Sequence, residues 1–294
     1  QFTAAALCIG GTAFAASAQS WFPLLFTHGG DAGLEGYVQM ADNAKLADEN
    51  EHYRLSVESV LFDKSAGTGV ISLHLENKQQ DGVKPFTLAH LLDSYRNKPD
   101  MTWTTLSSCY AEEGQLAFEV MYGDSGFCGS EFYLDTARST DNDYYFEGAF
   151  AISSDYQKGE PLRLEALDPS GTTVRADGAG TAKTVLAVDL PEFQQMPYLT
   201  SENGDVTLSQ IGIRNADMHC TVDDVDTLSV QLKDGSEYVI LDENADIDRT
   251  LYTYGFNSTE DTDRIDTEIA VLARAFDLDN VQSVTINDEV YPLS

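Results

Sequence analysis

Asp242-Glu-Asn-Ala-Asp-Ile-Asp248 places oxygen ligands at alternate positions, as a loop wrapping a calcium ion would. An EF-hand loop also needs Gly at its sixth position and Glu at its twelfth. Counted from Asp242, those positions hold Ile247 and Thr253, so the stretch is expected to be a solvated acidic turn. Asp223-Asp224-Val-Asp226 and Asp277-Leu-Asp279 are weaker versions of the same pattern. The second has the spacing to lend N-cap oxygens to a short turn before a strand. His28, His52, His74, His90 and His219 never fall at metal-ligand spacing, and neither His-Glu-x-x-His nor Cys-x-x-Cys occurs. His219 and Cys220 are adjacent, and neighbours on a strand point to opposite faces. A carboxylate pair for glycoside hydrolysis would have 49 acids to draw on, and the sequence singles out none. No Gly-rich phosphate loop is present. The expectation is no catalytic, cofactor-binding or metal-ligating residue, and no enzyme.

Gly123-Asp-Ser-Gly126 resembles the nucleophile motif of chymotrypsin-like serine proteases, and Thr87-Leu-Ala-His90 resembles that family's histidine motif. In that fold the histidine and serine come from two separate β-barrels with an aspartate between them. His90 and Ser125 have only 34 residues between them, too few for the rest of one barrel and the start of another. The residues themselves read as a Gly-Asp-Ser-Gly turn.

The elements that would position any site are strands. Tyr53-Arg-Leu-Ser-Val-Glu-Ser-Val-Leu-Phe62 alternates apolar and polar residues, then closes on an apolar run. Val70-Ile-Ser-Leu-His-Leu-Glu76 alternates likewise, after a Lys64–Gly69 turn with two glycines, and places His74 on the polar face. The pair predicts a β-hairpin. Further strands are expected at 116–122, 144–152, 162–167, 185–190, 206–213, 228–232, 238–241 and 251–256. Turns such as Asp168-Pro-Ser-Gly171 and Asp234-Gly-Ser236 separate them. Ser283 to Asn287 and Glu289 to Pro292 predict a last hairpin around Asn287-Asp288, with Pro292 suited to an edge. Only His90–Arg96 and Arg264–Phe276 look helical, and Thr267-Glu-Ile-Ala-Val-Leu272 reads equally as a strand. Cys109 and Cys128 flank the strand at 115–122, which holds them roughly 20 Å apart, beyond bridging range. Free, partly buried thiols are the expectation.

The layout of charge is informative. Gln1 to Gly30 holds no Asp, Glu, Lys or Arg, while the whole chain carries −32. Phe2 to Phe22 is apolar and would span roughly 31 Å as a helix at about 1.5 Å per residue. It reads equally as a transmembrane helix or as a signal peptide, with Ala13-Phe14-Ala15 or Ala16-Ser17-Ala18 as small residues for cleavage. A basic or cytoplasmic segment is expected upstream of Gln1. The strong negative charge excludes nucleic acid and anionic lipid as docking partners. It favours solubility outside the cell and loose cation binding. Hydrophobic residues at 42% and aromatics at 10% supply a proper core.

The organisation expected is a leader at 1–22, a tether at 23–36, a β-sandwich domain at 37–190 and a second domain at 198–294, with Pro191–Pro197 between them. Beyond residue 200 there are 21 acids against 5 bases, so the second half is the more acidic. The fold class is all-β with minor helix: antiparallel sandwiches after an N-terminal apolar helix.

Three stretches carry a resemblance: Gly36-Tyr-Val-Gln39; Tyr53-x-Leu-x-Val-x-Ser-Val-Leu-x-Asp63; and Ile71-Ser-Leu-His-Leu-Glu-Asn77. With the tail Phe276-Asp-Leu-Asp-x-Val281, Ser283-Val-x-Ile-Asn287 and Tyr291-Pro-Leu293, the chain resembles a family of Gram-positive bacterial envelope domains of unknown function. Such domains often form the extracytoplasmic part of membrane-anchored, anti-sigma-factor-like proteins. The resemblance implies an immunoglobulin-like sandwich, a membrane tether and no catalysis. It also implies an upstream segment gripping a sigma factor, which this chain does not contain.

The function expected is therefore a non-catalytic sensory or structural domain, held at the cell membrane, or secreted if the leader is cleaved. The alternative is a secreted or surface module binding glycan or peptide, suggested by 14 Tyr and 2 Trp. No ligand is legible.

Overall fold

In the computed structural model the described residues are 21–30, 33–40, 46–79, 91–93, 103–106, 116–123, 126–152, 160–174, 180–216, 225–256 and 267–294. Outside them lie the apolar leader up to residue 20, His90, Cys109, Asp124-Ser125, and His219-Cys220 with Asp223-Asp224. Among the described residues no helix is long and apolar enough to cross a membrane.

The strands are all antiparallel in their pairing. In the first half they are β1 (Gln39–Met40), β2 (Ala47–Glu49), β3 (Tyr53–Asp63), β4 (Thr68–Asn77), β5 (Leu91–Asp93), β6 (Trp103–Leu106), β7 (Ala117–Tyr122), β8 (Gly126–Asp135), β9 (Asp143–Ile152), β10 (Leu162–Val174) and β11 (Gly180–Asp189). The second half adds β12 (Tyr198–Thr200), β13 (Val206–Ser209), β14 (Gly212–Asn215), β15 (Thr227–Leu232), β16 (Glu237–Asp242), β17 (Ile247–Asp248), β18 (Thr250–Phe256), β19 (Thr267–Leu272), β20 (Val281–Ile286) and β21 (Glu289–Pro292).

These strands form four layers. Layer I is β7-β10-β11 and layer II is β1-β3-β4-β9-β8, with β2 paired to β3. Layers I and II are joined by a short pairing of β7 with β8, at Met121↔Phe127 and Tyr122↔Gly126. Layer III runs β12-β13-β14-β19-β18, and layer IV runs β17-β16-β15-β20-β21.

Three apolar cores separate the layers. Layers I and II bury Val57, Phe62, Leu73, Phe118, Leu164 and Phe146, among others. Layers III and IV bury Leu208, Leu272, Val230, Ile240 and Val284. Between them, Leu61, Val70 and Ala149 of layer II meet Leu251, Val271 and Ile211 of the second half. Layers II and III are thus each covered on both faces.

That double cover explains the run that ends β3. Tyr53, Leu55 and Val57 face layer I, and their polar neighbours face outward. A register shift between Val57 and Ser59 then resets the alternation, so that Val60 and Phe62 face layer I. Leu61 points the other way, into the core shared with layer III, and Val60-Leu61-Phe62 becomes continuously apolar. The same cause resolves β19. Thr267–Leu272 is a central strand with Ile269, Ala270, Val271 and Leu272 all buried, and the helical reading of 264–276 does not hold there. The short 91–93 stretch is likewise a strand, paired with β6.

Two turns differ from expectation. The stretch 206–213 is a hairpin, since Ser209 Oγ accepts the N–H groups of Ile211 (3.2 Å) and Gly212 (3.0 Å) and turns the chain. Gly212 is required there, because a Cβ would lie 2.2 Å from Thr68 Oγ1 of layer II. Asp168–Gly171 is an irregularity inside β10, with a register shift between Asp168 and Thr173. The hairpins at 64–67, 233–236 and 287–288 form as expected.

The stretch expected as a loose tether is packed. Phe22, Leu24, Leu25, Phe26, Leu34 and Val38 are all buried in the core between layers II and III. The Pro191–Pro197 stretch has no regular structure, yet Phe193 and Met196 are buried too, on two different cores.

Candidate functional site

The first feature missed in the sequence is Glu147. Strand β9 carries it across the layer II face at the point where residues 22–26 cross. Its Oε2 accepts the Leu24 N–H at 2.9 Å and its Oε1 accepts the Leu25 N–H at 3.1 Å. The side chain is 2% exposed. Turn bonds within the segment serve Thr27 and Gly29 but not Leu24 and Leu25, so a buried carboxylate that takes those two N–H groups fixes both position and orientation. The segment is tied at its other end by the His28 N–H, which donates to Ala273 O at 3.1 Å. Nearby, Tyr133 Oη lies within hydrogen-bonding reach of the Leu251 carbonyl and of Glu131 Oε2, which joins layer II to layer III.

A second cluster sits on the open part of layer II. His74 lies on the polar face of β4, as the alternation predicts, with Leu73 and Leu75 buried behind it. Its ring stacks on Tyr145 at 4.5 Å, and its Nε2 lies 2.9 Å from Asp143 Oδ1. The Arg138 guanidinium sits 4.1 Å from the Tyr145 ring centroid and reaches Glu58 at 3.3 Å. Tyr144, the next residue along β9, is buried. This arrangement occupies the Tyr145 ring rather than presenting it.

A third feature lies in the sandwich of layers III and IV. At one end of it a cavity of about 360 Å³, counting its open mouth, is walled mainly by Ile213, Leu228, Leu241 and Ile286. Glu268 and Asn215, directly paired in the β14–β19 ladder, contribute the polar groups with Thr250 and Thr253. Burial pushes the Glu268 carboxyl above the ordinary glutamate range. Elsewhere in the same sandwich, Arg249 and Arg274 place their guanidiniums 5.1 and 4.5 Å from the Tyr238 ring centroid, and burial raises the phenol's pKa. A wider, more polar groove opens between Lys64, Glu160, Glu192 and Phe193.

The residues singled out in sequence do local work. Asp242 Oδ1 accepts the N–H groups of Asn244 (3.0 Å) and Ala245 (3.2 Å), capping a short 3₁₀ turn at Glu243–Ala245. Asp248 Oδ1 takes the N–H and hydroxyl of Thr250 at 3.0 and 2.7 Å. The stretch is a turn in which one oxygen each of Asp242 and Asp248 is engaged locally. Asp277 caps the 3₁₀ turn Leu278–Asn280 through the Asp279 N–H, as its spacing predicts. Among the described residues no three His, Cys, Asp or Glu side chains converge as metal ligands would. Gly123, in a left-handed conformation (φ 57°), begins the connection between β7 and β8, while His90 and Ser125 fall outside the described residues. Cys128 is a free, buried thiol whose pKa is pushed up by burial. His28 is half-buried, and His52 is exposed beside Glu51 at 3.1 Å.

Compared with protein-family models, curated proteins and solved structures, the chain matches none.

Proposed function

We propose that the chain is a non-catalytic, extracytoplasmic sensory domain of a membrane-tethered bacterial envelope protein, anti-sigma-factor-like in organisation. One observation carries the reading. Directly after the apolar leader, Phe22, Leu24, Leu25, Phe26, Leu34 and Val38 are built into the core between layers II and III, and Glu147 pins the segment at Leu24 and Leu25. An anchor joined to such a segment is stiffly coupled to both halves of the body. A shift between layers II and III would move the anchor, which is what a sensor needs and a passive tether would not provide. The all-antiparallel stack and the charge of −32 suit a soluble extracellular body. The glycan- or peptide-binding alternative draws less support, because Tyr144 is buried and Tyr145 is held by His74 and Arg138.

The test is fractionation of the native cells with N-terminal sequencing of the mature protein. Recovery in the membrane fraction with residues 1–18 intact supports the tether. A soluble chain beginning at Gln19 removes it.

A further inference from the structure

Layer III breaks the rule of its own inner face at one end. Along β19 the positions facing layer IV are Glu268, Ala270 and Leu272; along β14 they are Ile213 and Asn215. Ala270 and Leu272 are buried apolar residues, as a core face requires. Glu268, next in the same row, is a half-buried carboxylate with no hydrogen bond or ion pair to another described residue. A charge in that position is costly to fold around unless something answers it. Local rules broken in this way concentrate where a protein binds something.

The space around Glu268 suits a particular kind of partner. Clear of its walls the cavity leaves about 20 Å³, room for one water-sized group, and an ammonium head is of that size. Its walls are mostly apolar. Among the described residues no Lys, Arg or His lines the cavity, and Glu268 is the only titratable group there. The whole molecule, at −32, concentrates cations and repels anions.

We propose that this cavity binds a small organic cation, an alkyl- or arylammonium, with Glu268 as its counter-ion and Asn215, Thr250 and Thr253 as neighbouring acceptors. Its hydrocarbon part lies against Ile213, Leu228, Leu241 and Ile286. This site stands independently of where the chain resides. Burial holds the empty carboxyl above its ordinary pKa, and a bound ammonium reverses that by giving the ionised form a partner.

The test titrates the full chain with n-butylammonium at constant ionic strength, followed by calorimetry, beside 1-butanol and butyrate as neutral and anionic isosteres. The proposal expects saturable binding of butylammonium, about tenfold or more tighter than butanol, and none of butyrate. In Glu268→Gln, checked for a cooperative melt, butylammonium should fall to the level of butanol. Equal binding of butanol and butylammonium to the wild-type chain, or no saturable binding of butylammonium, overturns the proposal. That comparison needs no variant and stands even where the substitution fails to fold.

Discussion

Glu147 and Leu24 lie 123 positions apart in sequence and 2.9 Å apart in space, the carboxylate accepting the backbone N–H. Through that contact and its twin at Leu25, the segment that follows the leader becomes part of the core. Glu147→Ala leaves two buried donors without an acceptor and should cost about 3 kcal/mol of stability. Glu147→Gln keeps one acceptor oxygen and should cost about half as much. Urea denaturation gives both values, and limited proteolysis should newly cut the alanine variant between residues 23 and 36.

The core that holds Leu24 is shared by both halves of the chain. Leu24→Ala should cost about 3 kcal/mol, since it deletes a fully buried side chain. It should also loosen the coupling between halves. Calorimetry should show one transition for the wild-type chain, with calorimetric and van't Hoff enthalpies equal, and a broadened or split transition for the variant.

Layers II and III touch closely at Gly212, where a Cβ would meet Thr68 Oγ1 at 2.2 Å. Gly212→Ala should therefore cost about 2 kcal/mol through overpacking. Thr68→Ala in the same chain should restore part of that loss, because it removes the atom struck first. A double-mutant cycle measures the coupling, and strict additivity would show that the layers do not meet there.

The pKa of Glu268 is raised in the fold, so the folded chain holds that proton more tightly than the unfolded chain. This contribution to stability is complete below the ordinary glutamate pKa and is lost as pH rises through the folded value. Glu268→Gln removes it. The variant should gain on the wild type as pH rises from 4 to 8, and the gap should close toward acid. Denaturation midpoints of both proteins across that range give the sign directly.

Calcium and magnesium should raise the melting temperature by equal amounts. In the Asp242–Asp248 turn one oxygen each of Asp242 and Asp248 already accepts local donors, and among the described residues no three acidic side chains converge, so either ion acts by screening a charge of −32. A larger effect of calcium at matched concentration would point to a specific site.

Hairpins were legible because their turns are written in the chain. Asn287-Asp288 and Asp234-Gly-Ser236 sit between clean alternations, and strands pair around them. The turn at Gln210-Ile211 was missed because it lacks the usual Gly, Pro, Asn or Asp at its centre. Its signal was Ser209 with Gly212, a hydroxyl that accepts two N–H groups. Strand β19 stayed ambiguous because burial on both faces erases period two. The packing of Phe22-Pro-Leu-Leu-Phe26 had a signal too, four large apolar residues in five, but no periodicity to place them. Glu268 could not be singled out, since a Glu on a strand reads as an outward-facing residue until both faces are known to be covered.

The claim on which the functional reading depends is export with a retained anchor. Protease added to intact native cells tests it most directly, with the membrane fraction probed afterwards for fragments. The account predicts that the body is digested from outside while an N-terminal piece ending near Phe22 to Val38 stays with the membrane. A full-length chain, untouched by protease until the cells are broken, would contradict it.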